Sequence, residues 1–143
     1  MTDASRPQKI VVGIDGSASS TDAFRWAIQQ AQLTGLVIEA VMVWQYPAGV
    51  VLAGPQDFEA ESRGALDRAI EAALSGAPAV QVIRVVEEGE PATRLVNRSK
   101  DAALLVIGSR GRGAFVGMLI GSVSQYCVTH AHCPVVVLRG PDG

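Results

Sequence analysis

Apolar residues along this chain fall into two alternating patterns. Five segments rich in β-branched residues occupy positions 9–15 (KIVVGID), 37–44 (VIEAVMVW), 80–87 (VQVIRVVE), 103–108 (ALLVIG) and 134–138 (PVVVL). Most lack polar alternation, which predicts strands covered on both faces, as in a parallel sheet. The intervening stretches follow helical spacing. In 58–75, Leu66, Ile70, Ala73 and Leu74 form an apolar stripe opposite Glu59, Glu61, Arg63, Asp67, Arg68 and Glu71. In 22–32, Ala23, Trp26, Ala27 and Ala31 share one face, Trp26 is read as core, and Gly35 is a natural stop. Pro91 opens a third helix, and 122–130 form a short fourth. The alternation predicts an α/β fold, an open, doubly wound, five-stranded parallel sheet flanked by helices, Rossmann-like.

Composition narrows the picture without redirecting it. The 143 residues suit a single domain spanning 1–143, with an ordered core over about 8–140. With 48% hydrophobic and only 5% aromatic residues, the core is aliphatic and disorder is excluded. Twelve basic and 14 acidic residues leave a net charge of −2, so no broad basic field exists for nucleic acid and none is expected as a partner. Two cysteines, Cys127 and Cys133, cannot build a disulfide scaffold. No apolar run reaches the length of a membrane span, so the expected setting is cytoplasmic, away from membranes.

Ligands of such sheets bind outside the carboxyl ends of the strands, where the winding reverses. Periodicity does not say which strands flank that crevice, but two strand ends carry chemistry. The first ends in Asp15-Gly16-Ser17. The fourth runs into a glycine-rich loop, Gly108-Ser109-Arg110-Gly111-Arg112-Gly113, which continues through Gly117 to Gly121-Ser122. Gly108 and Gly111 would let backbone approach a sugar and phosphate closely. Gly121 would deliver Ser122 as the N-cap of a helix whose free N–H groups favour an anion, with Ser124 adding a hydroxyl. The lysine of a P-loop is missing after Gly121, and the dinucleotide fingerprint fails on spacing and position.

The spacing Gly-x2-Gly-x9-Gly-Ser, carried by Gly108, Gly111, Gly121 and Ser122, resembles the ATP-binding subclass of the universal stress protein family. The opening VVGIDGS and the ending HAHCPVVV are similar to that family's first and last strands. The resemblance implies strand order 3-2-1-4-5 and a crevice between the first and fourth strands. It implies that Ile14 and Asp15 line the nucleotide, and that Val41 meets the adenine edge through its backbone. Gly108, Ser109, Arg110 and Gly111 would wrap the ribose and first phosphate. Gly121, Ser122, Val123 and Ser124 would hold the distal phosphates. The implied ligand is ATP, with AMP or cyclic AMP as alternatives and Mg2+ accompanying the phosphates. The implied assembly is a homodimer through the fifth strand, at Val135, Val136, Val137 and Leu138.

Blander roles stand beside these. Asp15 can simply cap a turn, and Arg110 and Arg112 can be solvated. Trp44, at the end of the second strand, is a candidate for the pocket border. Cys127, His130, His132 and Cys133 lie within seven residues but lack usual zinc spacing, and Cys127 falls one turn after Val123 on the buried face. The leading function is a regulatory stress-response module that binds adenine nucleotide, non-catalytic or at most a slow ATPase. The alternative is an ATP-using enzyme such as an adenylyl transferase, which would need a base or carboxylate cluster where only Asp15 is found. The loop over 45–55 transfers least from the family.

Overall fold

Valine and isoleucine, stiff at χ1, build the strands of a sheet whose central members are covered on both faces. A computed structural model describes residues 9–46, 54–76, 79–110 and 120–139. The order is β1 (Lys9–Gly13), α1 (Ala18–Thr34), β2 (Val37–Trp44), α2 (Pro55–Leu74), β3 (Val82–Glu88), α3 (Pro91–Ser99), β4 (Leu104–Gly108), α4 (Ser122–His130) and β5 (Val135–Leu138). All neighbouring strands are parallel, in the order β3-β2-β1-β4-β5. The expected architecture and strand order are both met.

Two cores sandwich the sheet. Ile10, Val12, Ile38, Ala40, Met42 and Val106 meet α1 and α2 through Phe24, Ala27, Ile28, Leu66 and Ile70. On the other face Val11, Val41, Leu105 and Ile107 meet α3 and α4 through Leu95, Val96 and Cys127. Trp26 is only partly buried at the margin of the first core, and Phe24 takes the fully buried place instead. Cys127 is fully buried, as its spacing from Val123 required.

Helix starts depart from the hydrophobic pattern because caps, not apolar residues, set them. Helix α1 begins at Ala18, four residues before the expected start at 22, because Ser17 Oγ accepts the Ser20 N–H at 3.2 Å. It stops at Gly35, whose φ of 77° needs glycine and whose N–H closes on Ala31 C=O. Helix α2 takes in Pro55, so the end of the expected 45–55 loop is already helical; Asp57 accepts the Gly54 N–H at 3.2 Å. Residues 47–53 of that loop lie outside the described residues. Helix α3 has Glu90 as its N-cap, accepting from Ala92 and Thr93 N–H.

One charge sits inside the strand layer. Glu39 of β2 is 5% exposed and accepts from Lys9 Nζ at 2.9 Å and Arg98 Nη1 at 2.8 Å, while Arg98 Nη2 reaches Glu87 at 2.5 Å. Burial pushes the Glu39 carboxyl up, and the hydrogen bonds and charges of Lys9 and Arg98 outweigh it, so it is held below its ordinary value. This network pins α3 to β1, β2 and β3 on the face opposite α1.

Candidate functional site

The chain leaves β1 toward β2 on one side and leaves β4 toward β5 on the other, so the winding reverses between β1 and β4. Just beyond β1 the backbone turns at Gly16, whose φ of 86° suits glycine. Asp15 precedes that turn, half-buried, with Oδ1 accepting the Ser17 N–H at 2.9 Å and its own N–H donating to Ser20 Oγ at 3.3 Å. A carboxylate tied down in this way keeps a fixed direction at the mouth of the crevice. The Ile14 side chain packs into the α1 core at 4% exposure, so it supports the floor from beneath.

Val41 does not reach the rim. It is 1% exposed, and its C=O accepts the Ile14 N–H at 2.9 Å, which extends the β1–β2 ladder. Backbone groups alternate along β2: Ile38 N–H and Trp44 C=O bond toward β3, Val41 C=O toward β1. By that alternation the backbone edge of Val43 faces β1, two residues beyond Val41, which pairs with the last β1 residue, Gly13. Val43, rather than Val41, therefore presents main-chain donor and acceptor at the open end of the sheet. Next to it Trp44 stacks on Phe58 at 5.8 Å between centroids, and Tyr46 packs edge-on against both. The aromatic trio ties the end of β2 to the start of α2.

The glycine loop leaves β4 between two helices. A side chain at Gly108 would collide with Ser19 Oγ and come within 2.7 Å of the Ser19 carbonyl carbon. Its first role is thus to let α1 cross over the strand end. Ser19 Oγ donates to Arg110 C=O at 2.5 Å, and Ser124 Oγ donates to Gly108 C=O at 2.5 Å. Ser109 donates its N–H to Leu138 C=O at 2.7 Å and accepts the Gly121 N–H at 2.5 Å. Ser109 itself is 2% exposed, and its Oγ has no partner among the described residues. Arg110 is half-buried beside it; Gly111 and Arg112 lie outside the described residues.

Gly121, not Ser122, is the N-cap of α4, with φ −78° and ψ 169° and no side-chain cap. The first helical bond runs from Gln125 N–H to Gly121 C=O, so the amides of Ser122, Val123 and Ser124 have no carbonyl within the helix. Ser122 is exposed at the first helical position, Val123 packs partly against the α3–α4 core, and Ser124 is 3% exposed. An uncapped helix N-terminus thus opens beside an unpartnered buried hydroxyl, which is chemistry suited to an anion. The Ser124 hydroxyl spends its proton on Gly108 C=O.

At the far end of α4, burial and the charge of Glu90 push the Cys127 thiol up to about 11. His130 is exposed and packs against Tyr126 with ring centroids 4.2 Å apart. Among the described residues no group of three or more His, Cys, Asp or Glu could hold a metal ion. The residues that the sequence reading missed are Ser19, Val43 and the Glu39 network. Glu39 left a signal, a lone charge inside an apolar strand. Ser19 left none, since any serine of the run Ser17-Ala18-Ser19-Ser20 could be a cap.

A model of the universal stress protein family matches residues 7–139. A universal stress protein of Mycolicibacterium smegmatis is 37% identical over 132 residues, covering 91% of this chain and 45% of its own length. One from Mycobacterium tuberculosis is 40% identical over 134 residues, with the same coverage of 91% and 45%. The chain thus spans about half the length of these curated relatives. Among solved structures, the universal stress protein UspA of Lactobacillus plantarum superposes with a TM-score of 0.76 at 25% identity, covering 94% of this chain and 99% of that one. A universal stress protein in complex with cAMP (TM-score 0.73, 24% identity, 94% and 98% covered) shares the fold. So does an Arabidopsis thaliana family protein with AMP bound (0.62, 24%, 94% and 92%). With the family matched across almost its whole length, the chain belongs to the universal stress protein family.

Proposed function

We propose that this domain binds an adenine nucleotide, ATP foremost, across the carboxyl ends of β1 and β4, and acts as a stress-response regulator rather than as a catalyst. The observation that carries this reading is the uncapped N-terminus of α4 at Gly121, set beside the buried, unpartnered Ser109 hydroxyl. Distal phosphates would sit on the amides of Ser122, Val123 and Ser124. Gly108, Ser109, Arg110 and Gly111 would wrap the ribose and first phosphate, with Asp15 and Ile14 on the opposite wall. The purine edge would meet the backbone of Val43, one pleat beyond Val41. Family members of the same fold in complex with cAMP and with AMP support an adenine ligand.

Mg2+ would arrive with the phosphates, and Asp15, whose Oδ1 accepts the Ser17 N–H, is the carboxylate at the end of β1. Phosphoryl transfer needs a positioned base or metal cluster, and among the described residues no group of three or more His, Cys, Asp or Glu could hold a metal ion. The working unit we propose is a cytoplasmic homodimer joined along β5, with the whole chain as one domain. Mass spectrometry of nucleotide released from the purified protein, with an assay of ADP, AMP and pyrophosphate, tests the reading. Released adenine nucleotide with turnover below about one per minute supports it, being far under the usual enzyme range. Turnover at enzymatic rates contradicts it.

A further inference from the structure

We propose that Ser19 and Ser124 are positioning residues for the phosphate site, two buried hydroxyls that hold the backbone carbonyls of the glycine loop turned into the protein. The inference rests on the nucleotide-binding reading above and assigns Ser124 a supporting role in place of direct contact. Three consecutive carbonyls at the start of the loop are each held by a different group. Gly108 C=O accepts from Ser124 Oγ, Ser109 C=O from the Gly121 N–H, and Arg110 C=O from Ser19 Oγ, each at 2.5 Å. Ser19 comes from α1, which follows β1, and Ser124 from α4, which follows β4. The loop is therefore clamped from both walls of the crevice.

Neither hydroxyl does what helical hydroxyls commonly do, which is to bond back to the carbonyl one turn earlier. Thr21, Thr34 and Thr129 follow that habit, donating to Ser17, Gln30 and Gln125. Ser19 instead reaches a carbonyl 91 residues away, and does so past a strand end that only glycine at 108 leaves open. Both serines are almost fully buried, at 6% and 3% exposure. The electrostatic consequence follows from the peptide dipole. A carbonyl oxygen turned toward a phosphate repels it, whereas amides attract it. Without the Ser19 hydroxyl, Arg110 C=O loses the bond that holds it inward and turns more readily toward the crevice. The penalty then grows with the negative charge of the ligand and vanishes for a ligand without phosphate.

The test titrates the full chain with ATP and with adenosine, as wild type, Ser19→Ala, Ser124→Ala and a control, Ser99→Ala. Ser99 is a fully buried serine of α3 that donates to Val96 C=O and accepts the His132 N–H, remote from the loop. Ser19→Ala and Ser124→Ala should each weaken ATP about ten-fold, the effect of one lost hydrogen bond acting near a charge, and leave adenosine within about two-fold. Ser99→Ala should lower the melting temperature and leave the ratio of ATP to adenosine affinity unchanged. Should Ser19→Ala not fold, Ser124→Ala carries the same test from the opposite wall. Variants that bind ATP as wild type does, or that lose ATP and adenosine equally, overturn the inference. A wild-type chain that binds neither ligand, or adenosine as tightly as ATP, overturns the phosphate-site reading itself.

Discussion

At Gly108 the missing side chain matters because backbone, not a flexible side chain, fills the space, with the Ser19 carbonyl carbon 2.7 Å from where a Cβ would lie. Gly108→Ala should therefore cost about 1–3 kcal/mol in urea unfolding, the range for overpacking. Gly64, in the middle of α2, makes the opposite case. A Cβ there meets only the Arg68 guanidinium, at 3.3 Å, so Gly64→Ala should gain about 0.5–1 kcal/mol from helix propensity. The contrast separates a glycine required by packing from one merely tolerated. The glycine spacing of the loop was legible in the sequence, but this reason for Gly108 was not. It depends on a partner in α1 that no local pattern connects to the strand. The same holds for the bond from Ser124 Oγ to Gly108 C=O, which joins α4 to the end of β4 and leaves no trace in the local pattern.

Among the elements, all five strands are legible from their β-branched runs. Most lack polar alternation, as strands covered on both faces do, whereas β3 carries Arg84 and is only partly buried at the sheet edge. Helix starts were read late at α1 and α2, where Ser17 and Gly54–Asp57 begin the helix before its first apolar stripe residue. At the end of β2 the register adds Val43 beside Val41 as a candidate for the adenine edge. The β1 ladder closes at Val41, and only the register shows that Val43 lies beyond it. Glu39 sets the acid stability of the α3 layer. Its folded-state carboxyl is held below the ordinary 4.5, so its ion pairs contribute fully above that pH and are lost as pH falls through the lower, folded value. Chemical denaturation from pH 7 down to pH 3 should show stability declining below about pH 4.5, as expected for a paired carboxylate. Glu39→Gln should cost about 2–3 kcal/mol at pH 7, by leaving Lys9 and Arg98 without their shared partner, and should flatten that decline. An unchanged pH profile in the variant would show that other carboxylates govern acid unfolding.

For the whole molecule, the two edges of the sheet differ. Edge strand β3 carries Arg84, Glu87 and Glu88, while β5 is Val135-Val136-Val137-Leu138, half-buried and without charge. Light scattering should give twice the 15.0 kDa chain mass at micromolar concentration. Val136→Lys, which can extend its ammonium from a half-buried site, should shift the chain to monomer. A wild type that is already monomeric contradicts a dimer through β5. Ligand binding should couple to the stability of the entire fold, since the crevice joins α1, β4 and α4. At 100 times its dissociation constant ATP should add about 2.7 kcal/mol, roughly 8–12 °C in melting temperature, with GTP clearly weaker. The most direct measurement is isothermal titration of ATP into wild type and Gly121→Val. Gly121 has a φ of −78°, which valine adopts without backbone strain, and a melting curve of the variant at this buried site, run beside the titration, checks that it folds. Wild type should bind ATP, and the variant should bind at least about ten-fold more weakly, a loss of about 1.4 kcal/mol or more. Absence of ATP binding by wild type, or undiminished binding by the variant, would contradict a phosphate site at the N-terminus of α4.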